Sequence, residues 1–213
     1  QRVVDVVLGA FISVLPEKVT GAANGANTSA VFAGTNPNNG KRYVYLETLG
    51  GGMGARFTKD GKDGVQVHLT NTSNLPVEAI EMEYPLRVEE YSFVENSGGA
   101  GKYRGGLGIR RIIRPIAHKC EFSGVGERFK HSPWGVFGGQ PGKPGKFYLK
   151  HKNGKITNLS SKSSSIYTNE NDAIVMETPG AGGYGNPKKR SKNNILKDKI
   201  SGKFSNSFLK KYY

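Results

Sequence analysis

The sequence predicts a β-rich α+β unit, with many short strands joined by Gly-rich loops and few short helices. Three observations carry this. Short runs of β-branched and aromatic residues recur along the chain, bounded by Gly, Pro, Asn and Asp. Glycine supplies 30 of the 213 residues, gathered in runs instead of scattered. Asn153-Gly154 separates two such runs, Phe147 to His151 and Ile156 to Leu159, which is the clearest hairpin signal in the chain.

In chain order, Arg2 to Leu15 places apolar residues at helical spacing (Val3, Val4, Val7, Leu8, Phe11, Ile12) and is ended by Pro16, so it predicts a helix that packs by that stripe. Thr20 to Asn39 is rich in Gly, Ala, Asn, Ser and Thr and predicts loops around one short strand at Val31-Phe32. Tyr43 to Leu46 predicts a strand, and Val65 to Leu69 alternates like a second. Pro76 and Glu78 suit the first turn of a short helix that Pro85 halts. Leu86 to Val94 alternates as a strand; Ile109 to Pro115 and Lys119 to Val125 read as a pair of strands. Ser160 to Ser165 reads as a polar loop and Asp172 to Thr178 as a last strand. Residues 188–213 form a basic tail, expected to be a surface helix or an arm lying on a neighbour.

Candidate chemistry concentrates between Tyr43 and Glu83. A strand there breaks into Gly50-Gly51-Gly52-Met53-Gly54, and Arg56, Asp60, Asp63, His68, Asn71 and Glu78 follow at short intervals. Asp60-Gly61 and Asp63-Gly64 read equally well as turn dipeptides. A second run, Asn96 to Gly108, carries Arg104, which suits bidentate grip on a carboxylate or phosphate or, alternatively, an internal ion pair. Neither run is a nucleotide loop: the glycine offsets miss the dinucleotide fingerprint, and no Gly-Lys is followed by Ser or Thr. Trp134, the only tryptophan, reads as a core plug under a Gly/Pro-rich turn.

The formal charge is +14, but the basic residues are spread and no nucleic-acid motif accompanies them, so no nucleic-acid partner is expected. The single cysteine, Cys120, excludes an internal disulfide and reads as a buried strand residue. The four histidines lie far apart, with no two at ligand spacing, so no metal is assigned to these residues. No apolar run approaches bilayer length, and no membrane partner is expected.

Five motifs in order resemble the hydantoinase B/oxoprolinase family: ETLGGGMGAR (Glu47–Arg56), DGKDGVQVHLTNTSNLPVEAIEMEYPL (Asp60–Leu86), NSGGAGKYRGGLGIRR (Asn96–Arg111), SPWGVFGGQPG (Ser132–Gly142) and TPGAGGYGNP (Thr178–Pro187). That family comprises the beta-type subunits of ATP-dependent hydantoinases and 5-oxoprolinases and is related to the acetone carboxylase alpha subunit. The resemblance implies that residues 1–187 are a C-terminal portion of such a domain, in a complex with an A-type subunit that holds ATP; a cytoplasmic location is expected from the lack of a signal-peptide pattern and of a bilayer-length apolar run.

It implies ATP-driven opening of a cyclic amide, such as 5-oxoproline or a hydantoin. An amide carbonyl is a poor electrophile until its oxygen is phosphorylated, and the B-type subunit would supply the site where water attacks the activated carbon. Within the family motifs, Asp63 or His68 is expected as base or water-orienting group, with Glu47 orienting one of them. Arg56, Asn71 and the amides of Gly51, Gly52 and Gly54 are expected as anion stabilisers, with Arg104 a further substrate-binding residue. Any divalent metal would belong to the N-terminal part that these residues do not include. A non-catalytic assembly scaffold and an acetone carboxylase-like subunit are the alternatives. The glycine runs are expected to receive either another polypeptide or the reacting amide.

Overall fold

A computed structural model describes residues 1–213. Helix α1 (Arg2–Ala10) leads into strands β1 (Thr28–Thr35) and β2 (Arg42–Leu49), short helix α2 (Val77–Glu83), then β3 (Leu86–Phe93), β4 (Ile109–Pro115), β5 (Cys120–Val125), β6 (Lys146–Lys150), β7 (Ile156–Leu159), β8 (Lys162–Thr168) and β9 (Ala173–Glu177). A 3₁₀ turn (Pro187–Lys189) and helices α3 (Lys192–Ile200) and α4 (Asn206–Tyr212) finish the chain. The strands form two antiparallel sheets, ordered β2-β1-β5-β8 and β3-β4-β9-β6-β7. This is the β-rich α+β fold that the alternation and turn residues predict.

The core lies where alternate residues of both sheets meet: Phe32, Tyr45, Leu49, Ile113, Phe122, Phe147, Ile174 and Met176, capped by Ile80 of α2. Burial of apolar area on this scale is the main source of stability. β9 is buried along its whole length, since β4 and β6 flank it. The β6–β7 hairpin turns at Gly154, whose φ of +81° suits a residue without Cβ.

Three local expectations change. β4 and β5 do not pair: β4 lies between β3 and β9, β5 between β1 and β8, and the turn after Pro115 carries the chain from one sheet to the other. Alternation tells which face of a strand is buried and leaves its neighbour open. Ser160 to Ser165 is not a loop throughout, because β8 begins at Lys162; as the outer strand of its sheet it keeps a polar, largely exposed side. Val65 to Leu69 is not a strand. Only the bridge Gly51↔Val65 forms, and Gly64 at φ +58° and His68 at φ +62° interrupt the extended path.

The tail takes the first of its two expected forms, as surface helices, and these fold back on their own chain: Phe204 and Leu209 pack on Leu107, and Arg190 joins buried Asp198 and the partly exposed Asp60. Ser191 and Ser205 cap the two helices.

The glycine runs occupy a layer of their own, beside the sheets. Gly52 N–H donates to Pro179 O, Gly106 to Met53 O, Gly99 to Ala181 O, Gly183 to Gln140 O and Ala55 to Gly182 O, at 2.8–3.0 Å. Four loops distant in sequence thus satisfy one another's backbone, as buried amides must be satisfied. The approach is so close that a Cβ on Gly182 would overlap the Trp134 carbonyl, and one on Gly54 the Gly21 carbonyl. The expectation of a partner chain or a reacting amide in these spaces is therefore corrected. Bare backbone is needed here because the chain packs on itself.

Candidate functional site

Three clusters of charge are buried against this frame. The first joins the sheets. Arg111 of β4, fully buried, donates through Nη1 to both carboxylate oxygens of Glu47 on β2, at 2.7 and 2.5 Å. Tyr45 OH, Asn74 Nδ2 and Leu75 N–H also donate to Glu47. Burial, followed by the Glu47 hydrogen bond, holds the Tyr45 hydroxyl well above the usual phenol range.

The second fastens the tail. Arg104 Nη1 and Nη2 grip Asp63 at 2.7 and 3.1 Å, and Arg104 Nε reaches Asp198 at 3.1 Å. Lys203 Nζ and Leu107 N–H complete the shell of Asp63. Arg190 spans Asp60 and Asp198. Burial alone would raise the Asp63 carboxyl; the hydrogen bonds and charge of Arg104 outweigh it and hold that group below the ordinary carboxylate range.

The third lies at α1. That helix carries one acid, Asp5, and turns it inward. Asp5 Oδ2 accepts from Arg128 Nη2 at 2.8 Å; Oδ1 lies 3.1 Å from His68 Nε2 and accepts from Ala23 N–H at 3.3 Å. Burial would raise the Asp5 carboxyl, and the bonds from His68 and Arg128 reverse that and lower it. His68 makes no hydrogen bond through Nδ1. His68 and Arg128 both hold positive φ, +62° and +55°, which costs about 1–3 kcal/mol at a non-glycine residue and is concentrated at functional sites.

A cleft of about 400 Å³ opens here, lined by Arg2, Asp5, Val6, Gly9, Ile12, Arg128 and Trp134. Arg128 Nε, in the wall of this cleft, is buried without a partner in the chain, as are both side-chain polar atoms of Asn24, the residue after the Ala23 that donates to Asp5. Arg128 packs directly on this loop at Gly25. An imidazole held by a carboxylate, with its second nitrogen free, is the geometry of a general base and its orienting partner.

The residues singled out in the sequence are thus divided among separate clusters. Glu47 serves Arg111; Asp63 and Arg104 serve each other; His68 stands with Asp5. Arg56 Nη2 donates to Asp60 O at 3.4 Å, and its Nε is free of any partner. Asn71 is exposed. Gly51 N–H is taken by Val65 O and Gly52 N–H by Pro179 O. Sequence reasoning missed Asp5 and Arg128. A lone acid inside an apolar helical stripe was a usable signal for Asp5; nothing local marks Arg128. No group of three or more His, Cys, Asp or Glu side chains converges as metal ligands, and His68 with Asp5 lacks a third donor, so these residues do not fit a metal centre.

Acid should expose the cost of these pairs. Asp5 and Asp63 have folded-state pKa values below their unfolded ones, so their stabilisation is complete above about pH 4 and is lost as pH falls through the lowered values. Urea midpoints measured from pH 7 down to pH 3 should fall steeply in that acid range, and the Asp63→Asn variant should show a shallower fall.

Two packed antiparallel sheets, a layer of interlocked glycine loops and a His68–Asp5 pair whose carboxylate lines a cleft define a β-rich unit with a candidate general base. The chain belongs to the hydantoinase B/oxoprolinase family, which it matches over residues 1–187. It is 44% identical over 205 residues to an uncharacterized protein of Methanocaldococcus jannaschii, covering 96% of this chain and 35% of that one. It is 36% identical over 188 residues to 5-oxoprolinase 1 of Arabidopsis thaliana, covering 87% of this chain and 14% of that one. The fold is shared with the ATP-dependent caprolactamase of Pseudomonas jessenii, with a TM-score of 0.84, 24% identity, and coverage of 94% of this chain and 36% of that one. The chain therefore spans about a third or less of the length of these relatives. No helix is long and apolar enough to cross a membrane.

Proposed function

We propose that this chain is part of an ATP-dependent hydrolase of cyclic amides, a B-type component that acts after a nucleotide-binding A-type subunit has activated the amide. The observation that carries the reading is the Asp5–His68 pair in a member of this family: Asp5 lines an open cleft and holds His68 Nε2, while His68 Nδ1 makes no hydrogen bond within the chain. In this role His68 Nδ1 takes a proton from water as the water oxygen bonds to the activated carbonyl carbon. The tetrahedral adduct then loses the ring nitrogen, which takes the proton held on His68, and the acyl phosphate that remains is hydrolysed by a second water to the carboxylate and inorganic phosphate. Asp5 holds the imidazole in orientation and stabilises its protonated form; Arg128 fixes Asp5.

Exposed Asn71, three positions from His68, is the anion stabiliser this reading retains; Arg56, with its Nε buried and its Nη2 on Asp60 O, is not among the residues that line the cleft. Asp63, Glu47 and Arg104 serve as anchors in this reading, because their polar atoms are already engaged. ATP supplies activation from the A-type subunit, consistent with the absence of a phosphate loop from this chain. A cytoplasmic location goes with that complex.

The test is ATP hydrolysis by the assembled enzyme with 5-oxoproline, a hydantoin, or a ketone plus bicarbonate. Stimulation by a cyclic amide, with stoichiometric ring opening, is the expected result. Stimulation by the ketone alone would replace this reading with a carboxylase. A second reading, a non-catalytic scaffold, is favoured by the interlocked glycine layer. It predicts that no single side chain in this chain controls turnover.

A further inference from the structure

Helix α1 is arranged inside out. Its one acid, Asp5, points into the protein, while Val3, Val6, Val7 and Ala10, continued by Phe11 and Val14 in the following turn, form an outward stripe at helical spacing. Val3, Val6 and Val14 are 71%, 68% and 70% exposed. The opposite side is apolar too, with Val4, Leu8 and Ile12 partly covered. A helix that is hydrophobic all round is one that is enclosed on all sides, and a contiguous outward patch of this kind marks an interaction surface.

We propose that the outward face of α1 is the docking surface for the polypeptide that makes up the rest of the family's fold, the greater part of the relatives' length outside the matched region. Two observations select this occupant. The Methanocaldococcus relative matches 96% of this chain, yet that match accounts for only 35% of its own length, so most of its polypeptide remains to be placed. A second copy of this chain is the poorer fit, because each copy carries a formal charge of +14 and apposition of like charges opposes association. The fitting partner presents an apolar face to Val3, Val6, Val7 and Phe11. Seated on α1 it would also border the cleft formed by Val6, Gly9 and Ile12 with Asp5 and Arg128, removing water from that site. The surface stands independently of the catalytic role given to His68.

Thiol accessibility tests it. Val6→Cys is introduced in this chain and in a full-length chimera in which the chain replaces the matched region of the Methanocaldococcus protein. Lys152→Cys on the exposed β6–β7 turn is the control, and native Cys120 is buried. Circular dichroism establishes that each variant is folded. The expected result is fast labelling of Val6→Cys in the chain alone and labelling slowed by about tenfold or more in the chimera, with Lys152→Cys equally fast in both. Equal rates at Val6→Cys in a folded chimera would overturn the proposal. So would labelling of the chain alone that slows as its own concentration rises, which would make a second copy the cover.

Discussion

Replacing Glu47 with alanine is expected to cost about 3–5 kcal/mol of stability, the usual result of removing one member of a buried ion pair. Arg111 is 0% exposed, and its bonds to Glu47 run through Nη1 alone; Nε and Nη2 have no partner in the chain. Only the Tyr91 ring, 4.0 Å from the guanidinium carbon, offers further electrostatic relief. Without Glu47 the charge remains in the interface between the sheets with no counter-ion. The urea midpoint should fall with little change in slope. Replacing both residues with methionine should recover most of the loss, because the desolvation of both charges is then avoided. A loss below about 1 kcal/mol would place the pair in effectively solvated surroundings.

The second large effect concerns the glycine layer. Gly182→Ala puts a methyl group onto the Trp134 carbonyl at a position where Gly182 N–H donates to Ala22 O and Gly182 O accepts from Ala55 N–H. Neither backbone segment can retreat without breaking a hydrogen bond. The expected loss lies at or above the upper end of the range of about 1–3 kcal/mol for overpacking. Gly9→Ala is the contrast: its Cβ would meet the Trp134 ring at 3.4 Å, an ordinary contact, and alanine gains about 1 kcal/mol of helix propensity. Thermal unfolding of the two variants should move in opposite directions. Equal tolerance at both positions would remove the argument that the layer is close-packed.

Much of the fold was legible because strand alternation and turn dipeptides act locally. Leu86 to Phe93 and the Asn153-Gly154 hairpin show their structure in their own residues. Partners are another matter. β4 and β5 are adjacent in sequence and each alternates, yet they belong to different sheets, since both bury their inward residues in the one shared core. Where the tail docks was not legible because its hold is divided between long-range ion pairs of Arg190 and Asp198 and a small apolar cluster on Leu107, with no strong apolar stripe on α3 to announce either.

The glycine runs announced close approach without saying of what. Their contacts join segments far apart in the chain, such as Gly52 with Pro179, and no local pattern encodes such a pairing. The candidate site divided in the same way. His68 stood out by its place among acids and donors, whereas its partner Asp5 lies 63 positions away in a helix that reads as pure packing.

The most direct test of the account is a comparison of His68→Gln with Asp63→Asn in the assembled enzyme, with ring opening per folded molecule and unfolding midpoint measured on the same preparations. The account predicts that His68→Gln lowers turnover by about 10²–10⁴-fold, the contribution of a general base, with the midpoint nearly unchanged. Asp63→Asn should do the reverse, lowering the midpoint and sparing turnover. Full turnover in His68→Gln, or a turnover loss confined to Asp63→Asn, would contradict it.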